Sequence, residues 1–344
     1  MRTTTGWQST NGSTDLQRVP LERRDLRSED IAVRVDYCGI CHSDLHAIHG
    51  TTEGTVVPGH EFTGTVTAAG PGVTRFAPGD PVAVGTIVDS CGVCTMCRAG
   101  QENYCHEFPT LTYGGTDRVD GSRTLGGYTR EYVLREDFAY PLPAGLDPAA
   151  AAPLMCAGIT VWEPLRAAGI GPGSRVAVAG LGGLGHLAVK LAAALGAEVT
   201  ALSRTADKAA DAAALGAAGL LLTTDPDAMA AARETFDLVV DTISAEHELP
   251  PLLRLLAVDG TLTLLGRLGP TQVDIRNLMA GRRKLTSSGV GGRPSTAELL
   301  EFCAERGITA DVEVLPSAQV GAALTRLEKG DVRYRFVLDL SDLD

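Results

Sequence analysis

The sequence predicts an α/β protein in two parts: a doubly wound parallel sheet with helices on both faces, and a smaller β-rich body. Three observations predict it. From about Asp147 onward, short apolar strands alternate with Ala-rich helical stretches, the pattern of parallel βαβ units. One of these strands, Arg175–Ala179, runs into Gly180-Leu181-Gly182-Gly183-Leu184-Gly185 and then into a helical stretch. A lone glycine fingerprint is a weak signal, but between strand and helix it marks a turn whose amides can approach a pyrophosphate. The first 100 residues instead alternate in twos between Gly and Pro turns, which reads as a small, partly open barrel.

Length and composition narrow the field. A chain of 344 residues exceeds the usual size of one hydrophobic core, so two domains are expected. With 44% hydrophobic residues and a formal net charge of −12, it reads as a globular protein with neither nucleic acid nor an anionic membrane as partner. An anionic ligand must then be held by local cations and backbone amides. Met1–Asn11 is polar, and no apolar run reaches the length of about 18 residues that a membrane span needs. A cytoplasmic protein is expected. Its eight cysteines then read as metal ligands or packed thiols before disulfides.

In chain order, Ile31–Val35 and Phe62–Thr67 alternate as strands, Gly70-Pro71-Gly72 is a turn, and Pro81–Val84 is a further short strand. Between the first two lies Cys38-Gly39-Ile40-Cys41-His42-Ser43-Asp44-Leu45-His46. Three readings compete for it. As Cys-x-x-Cys-His it matches covalent haem attachment, which requires export that the N-terminus does not signal. It can be an inert loop with a packed thiol. Or it supplies one thiolate to a metal site completed by His60, in Pro58-Gly59-His60-Glu61, and by Cys156, in Leu154-Met155-Cys156-Ala157-Gly158. One His and two Cys would leave a zinc coordination position open for substrate.

Next come Cys91, Cys94, Cys97 and Cys105, spaced C-x2-C-x2-C-x7-C. Four thiols that close together can make a tetrahedral all-cysteine site on one loop, which predicts structural zinc. The spacing departs from the bacterial ferredoxin run, and no proline follows the last cysteine, which disfavours an iron–sulfur cluster.

The second part begins with helical stretches at 149–152 and 159–168. Strand Arg175–Ala179 follows, then the fingerprint with a helix over 186–195, then strand Glu198–Leu202. Further strands are predicted at Gly219–Leu222, Phe236–Asp241, 261–265 and 284–288. A site for NAD carries Asp or Glu at the end of the second strand to hold the ribose hydroxyls. Here that place reads Leu202-Ser203-Arg204-Thr205, with Lys208 just beyond. Hydroxyls and two cations suit a 2′-phosphate, so NADP(H) is predicted over NAD. The tail returns to a mixed pattern, with helices at 295–306 and 320–328 and strands at 312–314 and 334–340. It has no fingerprint and is expected to rejoin the first part.

With these residues in place the chain resembles the zinc-dependent medium-chain alcohol dehydrogenases, and within them the cinnamyl alcohol dehydrogenase-like branch. The resemblance runs over nearly the whole length. It includes Thr5-Gly6-Trp7, the Cys38–His46 stretch, Val57–Glu61, the four-cysteine loop, Ala152–Gly158, Gly180–His186 and Glu328–Phe336. It implies a GroES-like catalytic domain over 1–152 and 293–344, with a zinc lobe at 90–106, and a Rossmann domain over 153–292. It implies that Cys41, His60 and Cys156 hold a catalytic zinc, with Glu61 as a neighbour or occasional fourth ligand, so that two zincs are bound per chain. Asp44 would orient His60, a role such ligands commonly need. Ser43 and His46 would relay the substrate's proton, and His42 and Arg335 would lie near the pyrophosphate carried by Gly180, Gly182, Gly183, Leu184 and Gly185.

The implied activity is reversible hydride transfer between NADP(H) and a primary alcohol or aldehyde, aromatic or medium aliphatic, in a homodimer joined through the strand near Lys284–Val290. Plant members of the branch often carry a pocket aromatic shortly after the last lobe cysteine. Here that stretch is Pro109-Thr110-Leu111-Thr112-Tyr113-Gly114, so a specialised cinnamyl pocket does not follow. Two rivals keep the fold: reduction of an activated C=C bond, and a zinc-stabilised NADPH-binding protein without catalysis.

Overall fold

The computed structural model describes residues 1–266 and 269–344. They divide into two compact units, Met1–Cys156 with Gly292–Asp344, and Ala157–Gly291.

The first unit is built around the strand Asp30–Ile40. One edge pairs antiparallel with Phe62–Ala69, and the other pairs first with Glu131–Arg135 and then with Arg335–Asp339. Ile31, Ala32, Val33, Val35, Cys38 and Ile40 are all fully buried, as a central strand requires. Sequence alternation marks only Ile31–Val35. The strand runs on to Ile40 because Tyr37–Ile40 is zipped to Asp339–Phe336 from the far end of the chain, a pairing that no local pattern encodes. Pro81–Val84 and Ala139–Pro141 extend one side of the sheet, and Val312–Pro316 closes the other. A separate three-stranded sheet joins Gln17–Arg23, Arg2–Thr10 and Thr55–Val56. Its first strand, rich in Thr and Ser, carries too few apolar residues to stand out in the sequence.

The second unit is a six-stranded, wholly parallel sheet. Its order is Gly219–Leu222, Glu198–Ser203, Arg175–Ala179, Phe236–Asp241, Leu256–Leu264 and Lys284–Ser287. The central strands are sealed on both faces: Val176, Ala177, Val178, Val199, Leu238, Val239 and Val240 expose nothing. Strand order reverses beside Arg175–Ala179, so the turn after it lies at the topological switch point where such sheets bind ligands. The Leu256–Leu264 strand starts earlier than the sequence suggests, with a shift of register between Phe236 and Leu238. Among the described residues no helix is long and apolar enough to cross a membrane.

Candidate active site and metal centres

The strand Asp30–Ile40 ends one residue before Cys41, and the helix His42–Gly50 starts one residue after it. Asp44, at the third position of that helix, accepts from the Cys41 amide through Oδ2 at 2.9 Å, half of a capping box. The same carboxylate reaches the next ligand: His60 Nδ1 lies 3.0 Å from Asp44 Oδ1. With Nδ1 donating there, Nε2 keeps its lone pair and is free to ligate. Nε2 is 3.2 Å from Cys156 Sγ, and Cys156 Sγ is 4.0 Å from Cys41 Sγ. All three side chains are buried, and their ligand atoms lie within 4.8 Å of one another. Zinc bonds of about 2.0–2.3 Å in a tetrahedron set ligand atoms roughly 3.5–3.8 Å apart. The residues fit the ion.

Glu61, fully buried, stands behind them. Its Oε2 is 3.4 Å from the buried Arg335 guanidinium, whose Nη1 donates to the Ile40 carbonyl at 3.2 Å. Glu61 Oε1 has no hydrogen-bond partner among the described residues. Burial pushes this carboxyl up to about 7 against the pull of Arg335. Gly39 leaves room for it: a Cβ there would sit 2.4 Å from Glu61 Oε1. A buried carboxylate with an orphaned oxygen beside two thiols and an imidazole is an unstable arrangement for a protein alone. A divalent cation held by the two thiols and the imidazole would supply the missing positive charge beside it.

The four-cysteine loop is a second, separate donor set, with Cys91, Cys94, Cys97 and Cys105 mutually within 4.8 Å. Cys94 caps the short helix Thr95–Arg98 by accepting from the Cys97 amide at 3.5 Å, and Cys91 Sγ accepts from the Cys94 amide at 3.4 Å. The Cys97 amide, joined by that of His106, draws the Cys94 thiol down to about 6, while burial pushes Cys97 up to about 12. Thiolates this crowded oppose one another's ionisation, and a bound cation lets all four ionise together.

In the second unit the fingerprint follows the Arg175–Ala179 strand directly. Gly180 has φ +90°, and a Cβ on Gly185 would lie 1.8 Å from the Gly180 carbonyl oxygen, so only glycine lets the helix sit against the strand. That helix, Gly185–Ala194, has no side-chain cap, which leaves its first amides for another acceptor. Nothing lies within 4 Å of a Cβ built on Gly182, so the loop is open where a pyrophosphate would approach. At the end of the next strand, Ser203 is half-buried and Arg204 exposed. The backbone there is pinned by Thr223 and Thr224, whose hydroxyls donate to the Ser203 and Arg204 carbonyls at 3.3 and 3.0 Å.

Two family profiles match the chain, "Alcohol dehydrogenase GroES-like domain" over residues 27–144 and "Zinc-binding dehydrogenase" over residues 183–305. A probable cinnamyl alcohol dehydrogenase of Arabidopsis thaliana is 44% identical, over 98% of this chain and 94% of the relative. The chain belongs to the zinc-dependent medium-chain alcohol dehydrogenases. A relative named as an NADP-dependent alcohol dehydrogenase of Mycolicibacterium smegmatis is 43% identical, over 100% of this chain and 99% of its own. The structure of a cinnamyl alcohol dehydrogenase from Sorghum bicolor superposes with a TM-score of 0.94, at 41% identity and 98% coverage of both chains. The two-part α/β fold and the cinnamyl alcohol dehydrogenase-like branch expected from the sequence are both met.

In this dehydrogenase Cys41, His60, Cys156, Asp44 and Glu61 come together as one cluster. Ser43 is tied to it, its Oγ 3.7 Å from Cys41 Sγ. His42, Ser43 and His46 are exposed on the first turns of the helix. Arg335, expected from the resemblance near the pyrophosphate, is buried beside Glu61 in the first unit. Cys38, the other thiol of the Cys-x-x-Cys pair, is fully buried, and burial pushes it well above the ordinary thiol range. Two tyrosines were not legible in the sequence. The Tyr113 ring stands edge-on to His60 at 5.7 Å, and the Tyr128 hydroxyl donates to Asp44 at 3.2 Å. Neither lies in a motif, although an aromatic shortly after the last lobe cysteine was a usable hint for Tyr113.

Proposed function

We propose that the chain is an NADP(H)-dependent zinc alcohol dehydrogenase and aldehyde reductase, acting on aromatic or medium aliphatic primary alcohols and the matching aldehydes. We assign catalysis to Met1–Cys156 with Gly292–Asp344, and dinucleotide binding to Ala157–Gly291. The observation that carries this reading is the convergence of Cys41, His60 and Cys156, three ligands and not four, around a point that Asp44 orients. When bound there, zinc supplies a Lewis acid for the substrate's oxygen. The nicotinamide cofactor supplies or accepts the hydride.

The chain's own residues do the rest. Asp44 fixes the His60 tautomer. Ser43 takes the alcohol's proton at its hydroxyl and passes it to His46, one turn along the same helix and open to water. Arg204 and Lys208, with no ion pair for either among the described residues, meet the 2′-phosphate together with Ser203. The four-cysteine loop holds the second, structural zinc.

We further propose a homodimer. Lys284–Ser287 is the outermost strand of its sheet and pairs on one side only. Nearby in the chain, Val258, Ile275 and Met279 are 62%, 60% and 73% exposed. An open strand edge with apolar neighbours favours pairing with a second copy. A reducing cytoplasm is the compartment this reading asks for, since six of the eight cysteines serve as zinc ligands in it and none is paired in a disulfide.

Following NADPH oxidation with a panel of aldehydes and an enone tests the function. Turnover of aldehydes with little or none of the enone supports it. Turnover of the enone alone gives the C=C reductase, and no turnover with any substrate gives the non-catalytic rival.

A further inference from the structure

Asp44 is fully buried and accepts four donors, two on each oxygen. Oδ1 takes the Gly59 amide at 3.0 Å and faces His60 Nδ1 at 3.0 Å, while Oδ2 takes the Cys41 amide at 2.9 Å and the Tyr128 hydroxyl at 3.2 Å. Three of these come from the segments that carry the proposed metal ligands. The fourth, Tyr128, belongs to a different stretch of chain and is itself fully buried. We propose that Tyr128 is a positioning residue for the zinc ligand His60, acting through Asp44. This rests on the zinc reading above.

The setting of Tyr128 supports a role beyond filling space. Its segment is hydrogen-bonded to the residues just before His60. The amides of Gly126, Gly127 and Tyr128 donate to the carbonyls of Val57, Gly59 and Pro58 at 2.8, 2.8 and 3.0 Å, and the Tyr128 carbonyl accepts from the Trp7 amide at 2.8 Å. The same segment is clamped by Arg23, a cation only 7% exposed. Its guanidinium donates to the carbonyls of Leu125, Gly126 and Glu131 at 2.6, 2.8 and 3.0 Å and to Thr129 Oγ1 at 2.7 Å, and it lies 4.4 Å over the Tyr132 ring. Burying a guanidinium is costly unless it is fully hydrogen-bonded. Here four donations go to the one stretch that aims Tyr128. The backbone from which the phenol reaches Asp44 is thereby fixed, and both side chains are fully buried.

Without the phenol hydroxyl, Asp44 Oδ2 keeps the Cys41 amide alone. The carboxylate, still held by the Gly59 amide on Oδ1, is then less firmly fixed on its Oδ2 side and loosens its hold on His60 Nδ1. Partners behind metal ligands are typically worth about tenfold or more in metal affinity.

The test is Tyr128→Phe, which keeps the ring and removes one oxygen. Zinc release into a chromogenic chelator is followed in the wild type, and Cys41→Ser identifies which of the two release phases belongs to the Cys41 site. Tyr128→Phe is expected to speed that phase about tenfold and to leave the four-cysteine phase unchanged, an internal control for intact folding. In an Asp44→Asn background the same substitution is expected to change nothing further. Wild-type release in Tyr128→Phe, or an equal extra effect in the Asp44→Asn background, would make Tyr128 a packing residue and overturn the proposal. A wild type that holds a single zinc would instead remove the zinc reading beneath it.

Discussion

Cofactor choice offers a sharp prediction because the deciding residues lie on one short turn. Ser203 ends its strand, and its carbonyl is held by the Thr223 amide at 2.8 Å, so the position tolerates a change of side chain with little movement of backbone. Arg204 is exposed beside it. A charge-assisted contact from Arg204 to a 2′-phosphate contributes about 1.5–3 kcal/mol, or about ten- to a hundredfold in discrimination. Arg204→Ala should lose that factor for NADPH and leave NADH nearly untouched. Ser203→Asp goes further, since it sets a carboxylate against a phosphate of nearly two charges. At a separation of about 5 Å the repulsion is about 2 kcal/mol in a water-like dielectric and about 7 kcal/mol at an effective dielectric near 20. This surface turn belongs near the lower figure. The same carboxylate accepts from the free ribose hydroxyls of NADH, so the preference should reverse. The assay is kcat/KM for both cofactors with one good aldehyde. A wild type that prefers NADH, or an Arg204→Ala enzyme that loses equally with both, would refute the reasoning.

Other expectations follow from the same structure. Elemental analysis should find two zincs per chain. Cys94→Ser should lose one of them together with thermal stability, and Cys41→Ser should lose the other with the fold retained. Iron with visible absorbance would contradict both assignments. Light scattering at micromolar concentration should report a dimer, and a monomer would end that proposal. Burial pushes the phenols of Tyr132 and Tyr140 up to about 12, above an ordinary phenol near pH 10. A folded-state pKa above the unfolded one gives stability that is whole below about pH 10 and fades as pH rises toward 12, by at most about 3 kcal/mol for each residue. The urea midpoint should fall across that window, less steeply in Tyr132→Phe, and an identical slope in the two proteins would count against it.

What could be read from the sequence follows the range of the interactions involved. The parallel sheet was legible strand by strand because its strands are short runs, the central ones apolar and sealed on both faces, and Arg175–Ala179, Gly219–Leu222 and Phe236–Asp241 begin and end where the pattern does. The four-cysteine loop was legible because one short segment carries all its ligands. Cys41, His60 and Cys156 are scattered, so the residues offered their union only as one of three readings, and it was the resemblance that selected it. The N-terminal strands escaped notice because their faces are largely polar. Tyr128 and Arg23 escaped for a different reason. A hydroxyl on a buried carboxylate, or a guanidinium on four oxygens of a distant segment, leaves no periodicity and no spacing. The pairing of Arg335 with Glu61 is of the same kind: each residue sits in a motif, and neither motif names the other.

The central claim is that the Cys41, His60 and Cys156 site supports hydride exchange at a carbonyl. Cinnamaldehyde offers a C=O and an activated C=C bond in one molecule, so identifying its product with NADPH, in the wild type and in His60→Ala, tests the claim directly. The account expects cinnamyl alcohol from the wild type and almost none from His60→Ala. The saturated aldehyde as product, or undiminished cinnamyl alcohol from His60→Ala, would contradict it.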